Sequence, residues 1–459
     1  MSQSAENPAN KKSILSFLHF ENPTKEQENV LAALEQFVSG DDEDDFMVVC
    51  GSAGTGKSSI MNAVVKYASQ EKLRVEIAAP TGRAARLISA KTNTDGNTLH
   101  SMLFKIKTKA SEAAILFEEK GDKIEDLTVF IIDEASMINS AIVRNQETEL
   151  FKCEVPILNA IKSYTKSGNT KNKIIFVGDR FQLPPVGEND SNALYPNYLR
   201  KNFSWKGTEF ELTEVKRTAE DSIILNTAST IRENIKDNKE IQPIKGHSSF
   251  NYLNVIPAYL KDLKEFGPNN VTAISSSHKQ NKSFNYWVRK KRFSNLNALV
   301  MKYEVLTIKR NWKCGGLTLH NGDTVMVKEI DYNSIQKISG LSFVPVTLRA
   351  KDKEGKEIEI SDYLLLDCVT AGAGSLGAIT ENKLYADRHR CNKTYRESGD
   401  IRDDAYLSAI RAIYGYSITC NTAQGGEWEK VYLNRGYIPN ARWAYTAVTR
   451  AKENLYLFS

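Results

Sequence analysis

The eight residues GSAGTGKS at 51–58 restrict the fold of this chain more than any other feature. They follow the apolar run FMVVC at 46–50 and precede SSIMNAVVKYA, whose apolar residues recur at helical spacing. Strand, glycine-rich turn and helix in that order make a phosphate cradle. Gly51, Gly54 and Gly56 let the backbone curl so that its N–H groups, with those of Ser52, Ala53 and Thr55 and the helix N-terminus, surround phosphate oxygens. Lys57 is expected to reach the β- and γ-phosphates, and Ser58 to hold Mg²⁺ through its hydroxyl. ATP and Mg²⁺ are therefore the expected cofactors.

Three further apolar runs, VEIAAP at 75–80, VFIID at 129–133 and IIFVGD at 174–179, read as parallel strands covered by helices on both faces. The third of the four, VFIIDEAS, ends in two acids at its C-terminal edge. Asp133 is expected to bind Mg²⁺, and Glu134 to polarise an attacking water as general base. In GDRFQLPPV at 178–186, the Gln182 amide is placed to meet the γ-phosphate or the lytic water and report the nucleotide state. Gln27 in PTKEQ either reads an adenine edge or completes a capping box with Thr24; the residues alone allow both.

The chain has 459 residues, enough for about three globular units. Its 41% hydrophobic and 25% charged residues exclude wholesale disorder. A net charge of +5 fits a basic groove offset by acidic patches such as DDEDD at 41–45. The six cysteines form no C-x-x-C pair, so neither a zinc site nor a disulfide framework is indicated and a reducing, cytoplasmic setting is expected. The polar N-terminus lacks a secretory apolar region, and no stretch reaches the ~20 apolar residues of a membrane span. A charged segment at 103–126 interrupts the first strand set and is expected to protrude. From 300 to 400, alternating β-branched runs (VLTIKRN, DTVMVKEI, SFVPVTLRAK, KEIEISDYLLLD) predict a small antiparallel barrel inside a second α/β set. That second set comprises VTAISSS, YSITC, KVYLN and LYLFS. The segments 371–378 and 387–403 are expected to be flexible connections.

Read in order, PTKEQ, GSAGTGKS, APTGRAA, TLHSM, IIDEAS, GDRFQLPPV, LTEVKR, YSITCNTAQGGEW and YTAVTRA resemble the motif series of superfamily 1 helicases, most closely the RecD-like and Dda-like members of the 5′→3′ branch. The resemblance implies an α/β fold with two RecA-like P-loop domains, a pin insert in the first and an SH3-like β-barrel insert in the second. The expected boundaries are 1–205 for the first domain with its pin at 103–126, 206–298 and 406–459 for the second, and 299–405 for the barrel. It implies that Arg217 and Arg450 act on the γ-phosphate across a closing cleft, and that Gly425 and Glu427 lie beside the nucleotide. It implies a single-stranded DNA track of Pro80, Thr81, Arg83, Thr98, His100, Thr419, Asn421 and Gln424, with Phe117 near the pin tip as a wedge. Where the family's motif continues with His-Lys, Asn421 and Thr422 stand here; both still hydrogen-bond, but a cation is gone. The implied activity is ATP-driven 5′→3′ translocation on single-stranded DNA with duplex unwinding by a monomer acting at single-strand/duplex junctions, alongside replication or repair proteins. An RNA helicase of the same superfamily and a DNA-binding ATPase switch without unwinding are the alternatives.

Overall fold

The computed structural model describes residues 12–19, 21–40, 43–108, 115–121, 123–142, 151–152, 155–214, 222–240, 242–294, 296–352 and 355–459. Six strands form an all-parallel sheet in the order Gly96–Thr98, Arg74–Ala79, Thr128–Ile132, Lys173–Gly178, Phe46–Gly51, Gly207–Leu212. The P-loop strand shows why its sequence is a continuous apolar run. Phe46, Val48 and Cys50 enter one core while Met47 and Val49 enter another on the opposite face, so neither face meets water. The last strand, Gly207–Leu212, pairs in parallel with the P-loop strand. The first domain thus runs past the expected edge at 205. That strand was hidden because GTEFEL is half polar and its residues Thr208, Glu209 and Glu211 are exposed, as an edge strand allows.

A second all-parallel sheet has the order Ser248–Phe250, Ala451–Phe458, Trp428–Asn434, Val271–Ser275, Ser417–Thr419. Between its strands lies an antiparallel sheet: Gln336–Ile338, Leu341–Lys351, Thr324–Ile330, Val305–Ile308 and Ala412–Tyr414, with Glu357–Leu365 paired to Leu341–Lys351. The alternating runs formed these strands as expected, but Ala412–Tyr414 carries the inserted sheet beyond 405. Of the two expected connections, 371–378 runs irregularly from Ala371 to the start of the next helix, whereas most of 387–403 lies in helices, Ala378–Cys391 and Lys393–Ser398. Their Leu384, Tyr385 and Tyr395 are buried with Phe343 and Leu365, and Arg411 closes on Glu381 through both guanidinium nitrogens. Polar composition misled the sequence reading here, since the apolar anchors are few and widely spaced.

Within 103–126, Phe104–Thr108 and Ile115–Glu119 pair antiparallel, and Phe117 stands opposite Ile106 in register. The Phe117 side chain lies outside the described residues. Among the described residues, no helix is long and apolar enough to cross a membrane.

Candidate functional site

At the C-terminal edge of the first sheet the P-loop turns through Gly54 (φ 86°) and Gly56 (φ 90°), backbone angles that favour glycine. A Cβ on Gly51 would meet Thr55 Oγ1 at 2.6 Å, which fixes the third glycine by close approach. The Lys57 ammonium donates to the carbonyl oxygens of Gly51 at 2.6 Å and Ser52 at 2.9 Å, lying across the mouth of the cradle. Lys91 Nζ donates to Ser58 Oγ at 3.2 Å. Gln27 is buried; its Oε1 accepts from the Thr24 amide and its Nε2 donates to the Thr55 carbonyl at 3.0 Å. The capping box is therefore formed, and the remaining donor of Gln27 braces the P-loop backbone.

The strand Thr128–Ile132 delivers Asp133 and Glu134 beside this loop, with Glu134 held in the left-handed region at φ 50°. A non-glycine residue there marks strain that the surroundings must compensate, and such positions cluster at reacting sites. Burial raises the Asp133 carboxyl, while Lys57 and Lys91 pull it back down. Glu134 is pushed up to about 7, first by burial and then by the neighbouring Asp133 charge, against the opposing pull of Arg450 and Lys57. A carboxyl poised near neutrality suits proton transfer. Gln182 is buried with no hydrogen-bond partner for its Oε1.

The second domain completes the cleft. Arg450 is buried, donating to the carbonyls of Thr446 and Gly426 at 3.0 Å and to Thr449 Oγ1 at 3.1 Å. Its charge lowers the Glu134 carboxyl, as does that of Lys57. Ser52 and Ala53 of the P-loop share one cavity of about 160 Å³ with Glu427, Tyr445 and Thr449. Arg217 lies outside the described residues.

The segment holding Gln182 is clamped by the other domain. Thr446 Oγ1 accepts from the Leu183 amide at 2.8 Å, and Gln424 Nε2 donates to the Leu183 carbonyl at 2.8 Å. Tyr445 donates its hydroxyl to Asp179 at 2.7 Å. Gln424 thus spends its amide joining the two domains. Sequence reasoning took only Arg450 from YTAVTRA and passed over Tyr445 and Thr446, although both stood in the same motif. Gly425, at φ 70°, sits so close to the first domain that a Cβ would meet Thr81 Oγ1 at 3.1 Å. Arg83 stacks its guanidinium 4.0 Å over the Trp428 ring, so it faces the domain junction.

Thr81, Thr98 and Thr419 each cap a helix, their side-chain oxygens accepting from Ala84, Ser101 and Thr422 amides. A threonine cap contributes about 1 kcal/mol, which by itself accounts for the residue type. The Thr98 hydroxyl also donates to Ser101 Oγ at 3.0 Å, and the Thr419 hydroxyl meets that of Thr422 at 2.9 Å. Pro80 precedes the first of these caps and Asn421 is exposed beside the third. The His100 ring is exposed, 5.9 Å from that of Phe104. Over the N-terminus of the helix Gly82–Thr92, the inserted domain lays His320 against Gly82, where any Cβ would collide with the ring, and Asp323 pairs with Arg86. Nothing in the sequence signalled this contact, which joins residues more than two hundred positions apart.

Ser58 and Asp133 offer one hydroxyl and one carboxylate, and no cluster of three or more metal-ligating side chains occurs among the described residues. That donor set suits Mg²⁺, which keeps its waters and takes most of its remaining ligands from phosphate.

Residues 35–188 match the AAA domain family and residues 414–458 the UvrD-like helicase C-terminal domain family. The ATP-dependent DNA helicase Dda of Enterobacteria phage T4 is 26% identical over 63% of this chain and 64% of its own length. The ATP-dependent DNA helicase Pif1 of Campylobacter jejuni is 29% identical over 42% of each chain. The ATP-dependent RecD2 DNA helicase of Deinococcus radiodurans is 29% identical over 30% of this chain and 16% of its own. The match thus covers less than two thirds of each of these relatives. Among solved structures, Pif1 helicase from Candida albicans aligns with 96% of this chain and 95% of that one, at a TM-score of 0.47 and 15% identity.

Proposed function

We propose, from its similarity to the helicases Dda, Pif1 and RecD2, that the chain is a superfamily 1 helicase, an ATP-driven motor that moves 5′→3′ along single-stranded DNA and unwinds duplex. The observation that carries the reading is the shared cleft: Ser52 and Ala53 of the P-loop line one cavity with Glu427, Tyr445 and Thr449 of the other domain, and the charges of Lys57 and Arg450 both lower the Glu134 carboxyl. A triphosphate in the P-loop would replace the carbonyls that Lys57 now holds. Ser58 and Asp133 would hold Mg²⁺, whose chemistry is to neutralise charge on the β- and γ-phosphates. Glu134 takes a proton from the attacking water, Gln182 orients that water through its unpartnered oxygen, and Arg450 meets the charge that develops. Arg217 is proposed as a second arginine of this kind.

The clamp on Leu183 then passes the nucleotide state to the DNA grips, because Gln424 follows Thr419 by a few residues and Gly425 packs on Thr81. Pro80, Thr81, Thr98 and His100 grip the strand from the first domain, and Thr419 with Asn421 from the second. Arg83 is reassigned from that track to the junction, by its stacking on Trp428. The inserted antiparallel sheet is proposed as the SH3-like barrel, bracing the hairpin at 104–119 as the pin. Cycles of closure and release would advance a monomer along the strand inside the cell, at junctions where replication or repair proteins act.

Unwinding of duplexes with 5′ or 3′ single-stranded tails, with and without ATP, tests the proposal. Displacement that requires ATP and a 5′ tail is expected; preference for a 3′ tail would reverse the assigned polarity. Asn421 and Thr422, which lack the usual cation, favour one second reading: an ATPase switch that binds DNA without separating it. ATP turnover with no displaced strand would select it, and stimulation by RNA alone would select an RNA helicase.

Two further results are expected. Phe117→Ala should leave DNA-stimulated ATP hydrolysis near wild type and slow unwinding several-fold, since a stacked base contributes about 1–3 kcal/mol; unchanged unwinding would remove the wedge role. Glu134 must be ionised to accept a proton, and its carboxyl titrates near 7. The kcat for ATP hydrolysis should therefore fall as pH drops through neutrality, in a step that Glu134→Gln abolishes along with most of the activity. A flat profile from pH 6 to 8 in the wild-type protein would exclude Glu134 as the base.

A further inference from the structure

The helix His278–Arg292 of the second domain turns an unusual face to solvent. No aspartate or glutamate occurs between Glu265 and Glu304, while seven lysines and arginines do. The buried side of the helix is made by Asn281, Phe284, Asn285, Val288 and Arg289. The opposite side shows Lys279, Lys282, Tyr286, Trp287, Lys290 and Lys291, all exposed. The other four tryptophans of the chain are buried, whereas Trp287 is 44% exposed and Tyr286 beside it 50%. The two rings meet edge to face at 5.4 Å, and Lys290 Nζ lies 5.0 Å over the indole.

A third aromatic of the same domain is also exposed. Arg289 ties the helix to Glu304, and the residue before Glu304 is Tyr303, 47% exposed beneath Lys302. Its backbone is left-handed at φ 67°, an uncommon and costly conformation for a bulky side chain. Strain that leaves an aromatic ring in water gains nothing for the fold.

We propose that this face binds single-stranded nucleic acid outside the domain cleft, with Trp287, Tyr286 and Tyr303 stacking on bases and Lys290 and Lys291 meeting phosphates. The chemistry fits one occupant. An acid-free cationic helix attracts a polyanion, and exposed aromatic rings with cations over them fit unpaired bases, which a duplex keeps stacked. Placed on the second domain, the surface would hold strand that has left the cleft, so the inference rests on the helicase reading for its role but not for its chemistry.

Anisotropy titration with oligodeoxythymidylates of increasing length tests it on the full chain. Wild-type affinity should keep rising with length after the cleft is filled. Tyr286→Ala/Trp287→Ala should match wild type on the shortest oligomers and lose about tenfold on long ones, with Tyr286→Phe/Trp287→Phe restoring most of the difference. Lys290→Ala/Lys291→Ala should flatten the salt dependence for long oligomers only. A double alanine variant equal to wild type at every length would overturn the proposal, as would an equal loss at every length. Competition by duplex or by polyglutamate as effective as by single strand would also overturn it, by naming a different occupant. ATP hydrolysis stimulated by short oligomers reads the cleft separately, so its absence in the wild-type protein would sink the motor while leaving this comparison intact.

Discussion

Replacing Arg450 by alanine is expected to lower the kcat for ATP hydrolysis by about 10³–10⁵-fold while nucleotide affinity changes little. The expectation follows from what Arg450 does and does not touch. Its three partners, the Thr446 and Gly426 carbonyls and Thr449 Oγ1, are neutral oxygens, so they orient the guanidinium without cancelling its charge. A buried charge left uncompensated by a carboxylate is costly, and such a charge is retained where a negative group arrives during function. Glu134 already senses it across the domain boundary. Arg450→Lys keeps the charge but not the planar fork, and should recover only part of the loss. Because the same guanidinium ties the strand Ala451–Phe458 to Gly426, a thermal melt of each variant separates a catalytic loss from a packing one. Unchanged kcat in a folded Arg450→Ala protein would contradict the role.

Much of this cleft was legible because its chemistry is local in sequence. A P-loop needs its glycines within eight positions, and Gly54 and Gly56 take the left-handed angles that the motif requires. The strand before it had to be apolar throughout, since its residues alternate between two cores. What stayed hidden was non-local. The edge strand Gly207–Leu212 carries too many exposed polar residues to show a buried-strand pattern. The helix Ala378–Cys391 is anchored by a buried Arg411–Glu381 pair thirty positions apart, which no window of sequence displays. The clamp on Leu183 uses its backbone N–H and C=O, so its own side chain gave no sign of it, and the partners Thr446 and Gln424 lie 263 and 241 positions away. Gln27 and Thr81 show the reverse difficulty: a capping role and a ligand role call for the same residue type, and only the placement of each amide and hydroxyl shows what the residue already does.

Lys57→Ala should abolish detectable ATP hydrolysis, for two reasons that act in the same direction. The ammonium is held by the Gly51 and Ser52 carbonyls, at 2.6 and 2.9 Å, within the glycine-rich loop itself. Losing a cationic donor from that loop costs about 10²–10³-fold by itself. Lys57 also lowers the carboxyl groups of both Asp133 and Glu134. Its removal lets both rise, and since Glu134 already lies near 7, more of it is protonated at neutral pH and unable to take a proton. The two losses multiply. Single-stranded DNA affinity in the absence of nucleotide should stay near that of wild type, because the capped helix starts at Thr81, Thr98 and Thr419 do not touch the lysine. Raising the pH should recover only the part of the activity lost to protonation of Glu134. Normal turnover in this variant would mean that the phosphate cradle is not where ATP is hydrolysed.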